Sequence, residues 1–143
     1  MRNQGFTLVE LMVVIVVIGI LVAIAIPNYS HMTSQSRDAG VKANSHTVML
    51  AAEDFAVQND GHYAADLSDL TPTGGSIIDA LPQNQRLPNP FTKARTEPVD
   101  GAAANVGETG YEPVVDGGGN HIGYVITGVG HGARQVCRFS NGF

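Results

Sequence analysis

Hydrophobic positions are concentrated near the start of the chain, where a short opening of residues 1–5 is followed by an apolar run from Phe6 to Ile26. Glu10 is the only charged residue in that run, and positions 11–26 carry no hydrogen-bonding side chain. As an α-helix the run extends about 31 Å, which matches a bilayer core of roughly 30 Å. The pattern predicts a membrane-spanning helix, and the basic residue before it places the N-terminus in the cytoplasm.

Beyond Pro27 the chain becomes polar but keeps helical periodicity to about Asn59, where Asn59-Asp60-Gly61 provides a stop signal. We therefore predict one helix over residues 6–59. Its second half has two apolar faces, which indicates two packing partners: a sheet of its own domain and helices from outside that domain. One face carries Val41, Val48, Ala51, Ala52 and Phe55, and the nearly opposite face carries Met32, Ala39, Ala43, Leu50 and Val57.

Residues 60–143 predict a small globular head made of an αβ loop and an antiparallel sheet of three or four strands. The fold class is α+β, with the sheet packed on the second half of the helix. We expect both faces of the middle strand to be covered. The predicted strands are Gly110–Val115, Ile122–Val129 and Arg134–Phe139, separated by glycine turns. Other predicted features are a helical turn at Asp66–Leu70, a short element at Ser76–Leu81 and a surface loop over Pro82–Pro98.

Charge and cysteine content exclude several classes of function. The net charge of the 143-residue chain is −5 and its basic residues are not clustered, which argues against contact with nucleic acid. With one cysteine, Cys137, the chain can form neither an internal disulfide nor a CxxC metal site. We interpret Cys137 as a small apolar side chain on the last strand.

The polar residues do not predict catalysis. The five histidines are scattered, and an enzyme needs an acid, a base or a nucleophile converging in one pocket. Four acids, Asp100, Glu108, Glu112 and Asp116, could supply oxygen ligands for calcium, but their spacing fits solvated surface acids better. The sequence therefore predicts a protein that is not an enzyme and has no cofactor and no metal.

Glu10 separates the possible interpretations of the apolar run. A simple membrane anchor, or a secretory signal cleaved near Ala23-Ile24-Ala25, leaves this acid unexplained. A carboxylate in hydrocarbon costs about 2.5–3.5 kcal/mol on insertion scales, so it is normally there for a purpose. If the chain is cut after Gly5, Phe6 gains a free amine one helical turn from Glu10, and the two groups can pair.

The segment Gly5-Phe6-Thr7-Leu8-Val9-Glu10, followed by an apolar stretch ending at Pro27, resembles the signature of type IV pilins and type II secretion pseudopilins. The resemblance implies a type IV pilin-like fold and removal of residues 1–5 as a leader. It implies cleavage between Gly5 and Phe6 and N-methylation of Phe6 by a prepilin peptidase. It also implies that Glu10 pairs with the Phe6 amine of a neighbouring subunit.

Two residues predict weak points in the helix. Pro27 lacks an N–H group and should kink or loosen the helix, and Gly19 is a second position of low helix propensity. The resemblance implies that the stretch between Gly19 and Pro27 can unwind in a filament.

Three functions follow as hypotheses. The first is a subunit, the major one, of a type IV pilus that serves adhesion, motility or DNA uptake. Its partners would be further copies of itself, the inner membrane, the prepilin peptidase and an assembly platform. The second is a periplasmic pseudopilin of a type II secretion system, and the third is a membrane-tethered binding module that does not polymerise.

Overall fold

The computed structural model describes residues 6–82 and 86–141, so the predicted leader, including Gly5, lies outside the described residues. The chain divides into two compact units, Met1–Gln35 and Ser36–Phe143. One helix, α1, runs from Leu8 to Gln58, includes Pro27 and contributes to both units.

Within the second unit, α1 buries one face against the rest of the head. All five residues of the first predicted apolar face, Val41, Val48, Ala51, Ala52 and Phe55, are buried. The opposite face is exposed at Ala39, Ala43, Leu50 and Val57. The two-faced pattern thus separates a core-forming face from one that the described residues of the second unit leave uncovered.

In the part of the chain that the structure describes, the strands form two sheets. β1 (Leu87–Pro88) and β2 (Arg95–Thr96) pair antiparallel in a two-stranded ribbon. The main sheet has the order β3-β4-β5-β6. Its strands are β3 (Val99–Asp100), β4 (Thr109–Val115), β5 (His121–Val129) and β6 (Gln135–Ser140). The α+β fold and the three predicted strands are confirmed, and residues 123–130 of the central strand region are all buried.

The prediction of an all-antiparallel sheet is wrong at one edge, because β3 pairs parallel to β4. Glycine turns explain the difference. Gly101 and Gly107 have positive φ angles of 87° and 86°, which glycine adopts without steric cost, and they reverse the chain twice between the strands. The chain therefore re-enters the sheet in the direction of β3.

Two smaller predictions also need correction. The segment Pro82–Pro98 contains the β1–β2 ribbon, whose turn is held by the Asn89 Oδ1 atom accepting the N–H groups of Phe91 and Thr92 at 2.9 and 3.2 Å. Residues 66–70 form a turn instead of helix, because the Asp66 carboxylate accepts the Ser68 N–H at 2.8 Å and so offers the backbone a local alternative.

Tyrosine hydroxyls join the sheet, α1 and the loop after α1 by hydrogen bonds. The buried Tyr111 hydroxyl donates to the Ala64 carbonyl at 2.8 Å. The Tyr124 hydroxyl donates to Glu53 Oε1 at 2.6 Å, and the Tyr63 hydroxyl donates to the other oxygen of Glu53 at 3.1 Å. Burial raises the pKa of Tyr124 well above its ordinary value, and the Glu53 carboxylate adds to the rise.

Candidate assembly site at the start of the helix

The first turn of α1 is closed by a reciprocal pair of side chains, Thr7 and Glu10. The Thr7 N–H and hydroxyl donate to Glu10 Oε2 at 2.8 and 2.7 Å, and the Glu10 N–H donates to the Thr7 hydroxyl oxygen at 3.2 Å. This arrangement is a capping box, which satisfies backbone donors that have no partner within the helix. Glu10 therefore helps to begin the helix in addition to carrying a charge.

The capping box leaves part of the carboxylate available. Among residues 6–82 and 86–141, the hydrogen bonds to this group all end on Oε2, which leaves the lone pairs of Oε1 for another donor. Phe6, directly before the cap, is 73% exposed. The arrangement can thus accept a cationic amine without breaking the start of the helix.

Sequence reasoning missed the role of Thr7. The signal was present as Thr7-Leu8-Val9-Glu10, the spacing of a capping box directly before an apolar run.

The apolar half of α1 is not covered by any described residue of its unit. Its large hydrophobic side chains from Leu8 to Ile26 are between 44% and 73% exposed. Each such side chain gains about 1.5–3 kcal/mol when it is fully removed from water. By length and composition this helix could cross a membrane. A run of this kind requires a bilayer or other protein chains around it.

The two predicted weak points lie within continuous helix, and their loosening in a filament stays a prediction. A side chain at Gly19 would meet no atom within 4 Å. Pro27 cannot donate a helical hydrogen bond, and the Ser30 hydroxyl donates to the Pro27 carbonyl oxygen at 2.9 Å. The Ser30 hydroxyl, three residues after Pro27, therefore bonds the helix backbone.

Three of the four acids considered as calcium ligands hold backbone turns. Asp100 accepts the Leu67 N–H at 2.9 Å, Glu108 accepts the Asn105 N–H at 2.9 Å, and Asp116 accepts two N–H groups at 2.8 Å each. Hydrogen bonds from Asn120 and from backbone N–H groups lower the pKa of Asp116. In the described parts of the chain, no group of three or more metal-binding side chains converges.

Residues 1–26 match the family model described as the prokaryotic N-terminal methylation motif. Over 76 residues the chain is 46% identical to the type IV narrow pilus major component PilA5 of Thermus thermophilus. The match covers 53% of this chain and 66% of that protein. Over 59 residues it is 44% identical to the type IV major pilin protein PilA of Myxococcus xanthus, covering 41% of this chain and 27% of that protein.

These two matches span less than two thirds of the relatives' own length. A longer match joins the chain to a probable minor fimbrial protein of Dichelobacter nodosus, with 31% identity over 122 residues. It covers 73% of this chain and 76% of that protein. No solved structure matches the chain significantly.

Proposed function

Because this chain belongs to the type IV pilin family, we propose that it is a structural subunit of a type IV pilus, assembled through α1 into an extracellular filament. The names of the Thermus and Myxococcus relatives favour the role of major subunit. The filament would serve adhesion, motility or DNA uptake.

One observation carries the proposal: an apolar helix segment, exposed on all sides, that begins with a capped carboxylate. Before assembly the inner membrane covers this segment, with the N-terminus in the cytoplasm and the head on the outer side. After assembly the same segments of neighbouring copies cover one another. The surface remains out of water in both states, so transfer from lipid to filament exchanges one apolar environment for another.

Processing prepares the site for assembly. A prepilin peptidase cleaves between Gly5 and Phe6 and methylates the new Phe6 amine, as the match of residues 1–26 to the methylation motif supports. The amine of one subunit then pairs with the Glu10 carboxylate of its neighbour. Pairing of an ammonium with a carboxylate in an apolar environment fixes the stagger between subunits, because an unpaired charge there is costly. An assembly platform in the membrane adds the subunits.

The cleavage step is tested by replacing Gly5. Gly5→Leu should leave uncleaved precursor in the inner membrane, because the peptidase needs close access to the backbone, whereas Gly5→Ala should be processed. Mass spectrometry of the mature N-terminus reads out the result. Processing of Gly5→Leu at the normal rate, or a wild-type mature chain that starts elsewhere than at methylated Phe6, would overturn the assignment.

The pairing step is tested by separating the charge of Glu10 from its capping role. Glu10→Gln keeps an oxygen acceptor for the Thr7 donors but removes the charge. Loss of a charge-assisted bond worth about 1.5–3 kcal/mol should reduce filament yield roughly ten-fold or more, with normal cleavage. Thr7→Val is the matched control, because it removes the capping hydroxyl and keeps the charge.

Filament yield is counted by electron microscopy of cells and of sheared surface fractions. Abundant filaments from Glu10→Gln, or equal losses in Glu10→Gln and Thr7→Val, would contradict pairing through charge. Long surface filaments of the wild-type chain support a pilus, and their absence at native expression supports the pseudopilin alternative. A cleaved chain that stays monomeric in membranes would favour a tethered binding module.

A further inference from the structure

The head, taken from here on as the whole second unit Ser36–Phe143, has its basic and its acidic residues at opposite ends along the direction of α1. All Lys, Arg, Asp and Glu residues after residue 35 lie within the described ranges. Between Lys42 and Arg86, and again between Arg95 and Arg134, the chain contains no lysine or arginine. Acids are spaced through both intervals.

The seven lysine and arginine residues of the head lie around the first turns of its helix segment. Arg37 and Lys42 lie on those turns, and Arg134 lies 3.9 Å from Asp38. The Arg37 guanidinium lies 5.8 Å from the Phe91 ring centre, close in sequence to Lys93 and Arg95. We define the basic end as Arg37, Lys42, Arg86, Lys93, Arg95, Arg134 and Arg138, all exposed.

The ribbon and the last strand bring Arg86 and Arg138 to the same end. Arg86 pairs with Glu97 at 3.2 Å, next to β1, where the Pro88 carbonyl accepts the Asn44 side-chain N–H at 2.9 Å. Arg138 follows Cys137, which is paired with Gly128 in the sheet. A side chain at Gly128 would meet Val41 and Ser45. Three acids, Asp38, Glu97 and Glu108, share this end, so it keeps a net positive charge.

Acids collect at the other end of the helix. Glu53 and Asp54 lie on its last turns and Asp60 just follows it. Tyr63 bonds Glu53, which brings the segment with Asp66 and Asp69 to this level. We define the acidic end as Glu53, Asp54, Asp60, Asp66, Asp69, Asp79 and Asp116. No lysine or arginine of the described residues belongs to it, and Asp100 and Glu112 lie at mid-sheet, level with Ile126 and Val125.

Two contacts place the remaining members of the acidic end. Asp79 and Asp54 line one small cleft of about 160 Å³ beside the end of α1. Asp116 holds the turn before β5, whose first residue, His121, accepts the Tyr63 N–H at 3.0 Å. Arg37 and Asp54 are about 26 Å apart along the helix, so the two ends are separate surfaces.

Stability of the helix does not account for this distribution. A helix C-terminus carries partial negative charge, which favours basic residues there. The last turn of α1 contains no basic residue, and Asp60 directly follows the helix at a φ angle of 52°. The acids thus lie where the helix dipole opposes them.

We propose that the acidic end of one head docks against the basic end of the next copy of this chain along the filament. The inference rests on the proposed pilus function and names a second surface for it, in the head. Opposite ends of different copies attract when the copies are staggered, and like ends repel when they are level. A head-to-tail contact of this kind is heterologous and propagates into an open filament. The charges therefore favour staggered over level neighbours.

Lysine chemistry gives a direct test. The chain has two lysines, Lys42 and Lys93, and both belong to the basic end. A carbodiimide joins a lysine amine to a carboxylate in contact with it, without a spacer. Lys42 is about 27 Å from Asp60 along the helix and just beyond it, so a bond between them must join two copies.

The experiment treats purified full-length filaments with the carbodiimide and identifies the linked peptides by mass spectrometry. We expect links from Lys42 or Lys93 to carboxylates of the acidic end. Their yield should fall several-fold between roughly 0.1 and 1 M salt, as the Debye length falls from about 10 to 3 Å. Filaments whose lysines form no links, or link only to carboxylates outside the acidic end (Asp38, Glu97, Asp100, Glu108 and Glu112), would overturn the inference. Absence of wild-type filaments would instead overturn the proposed function.

Variants of equal net charge provide the control. Lys42→Gln with Lys93→Asn removes two charges from the basic end, and Asn tolerates the positive φ of 64° at residue 93. His62→Glu with Ala65→Glu adds two negative charges near the acidic end at exposed positions. The first pair should lower the salt dependence of filament integrity, measured as the pelletable fraction, and the second should not. Equal effects of both pairs would show that only net charge matters and would contradict docking between ends.

Discussion

Residues 8–26 and residues 36–58 belong to one helix, but they differ in whether their apolar side chains are exposed or buried. The first segment exposes its large hydrophobic side chains around the whole circumference, whereas the second buries one face against its own sheet. A helix that is apolar on all sides needs partners on all sides. The second segment therefore forms part of the core of a domain. The first becomes stable only when a membrane or other copies surround it.

Truncating the buried face should cost the most stability. Phe55→Ala should destabilise the head by about 3–5 kcal/mol, because it removes a buried ring and leaves a cavity. Denaturant unfolding of the full chain in detergent, followed by near-ultraviolet circular dichroism, measures the change. Leu50→Ala, on the exposed face of the same helix, should change stability by less than about 0.5 kcal/mol. Similar losses in the two variants would remove the distinction between the faces.

A pair of glycines, one in each unit, should respond to the same substitution with opposite signs. A side chain at Gly128 would meet Cys137, Ser45 and Val41, so Gly128→Ala should cost about 1–3 kcal/mol through overpacking. Gly19 has open space around it, and Gly19→Ala should strengthen the helix by about 1 kcal/mol. Thermal unfolding of the head and the helical circular dichroism signal report the two changes. A tolerated Gly128→Ala would mean that the sheet does not approach the helix this closely.

A weaker change, confined to the head, is a loss of stability in alkaline solution. Because burial raises the pKa of Tyr124 in the folded head, the unfolded chain loses this proton first as pH rises. The stabilisation is complete below about pH 10 and is lost as pH rises through the raised pKa. The urea concentration at the unfolding midpoint should therefore be lower at about pH 11 than at about pH 8. Tyr124→Phe should narrow this difference. An unchanged difference in that variant would contradict this account.

Sequence pattern predicted the parts of the fold that depend on periodicity. The buried face of α1 and the bounds of β4, β5 and β6 follow from spacings of 3.6 and 2 residues. The parallel edge strand β3 was missed because two residues carry no periodicity, and its direction depends on turns at Gly101 and Gly107. The pairing of Tyr124 with Glu53 was missed because 71 residues separate them in sequence.

At the candidate assembly site, the roles of Phe6 and Glu10 in assembly stay predictions, made from a carboxylate that its apolar surroundings left unexplained. The spacing of Thr7 and Glu10 fits a capping box, but backbone geometry was needed to show that Thr7 caps the helix, since a threonine hydroxyl can bond in several ways. Separation of charge in the head was invisible in a net charge of −5, because only the fold decides where each sign lies.

The edges of the main sheet matter when heads are crowded together. One edge, β3, is two residues long, and the other, β6, has Gln135, Arg138 and Ser140 at exposed positions. Short or charged edges resist pairing with strands of another molecule. Heads held side by side at high local concentration should therefore not form continuous β-sheets with one another. In the proposed filament, order would then be set by the helices, without amyloid-like by-products.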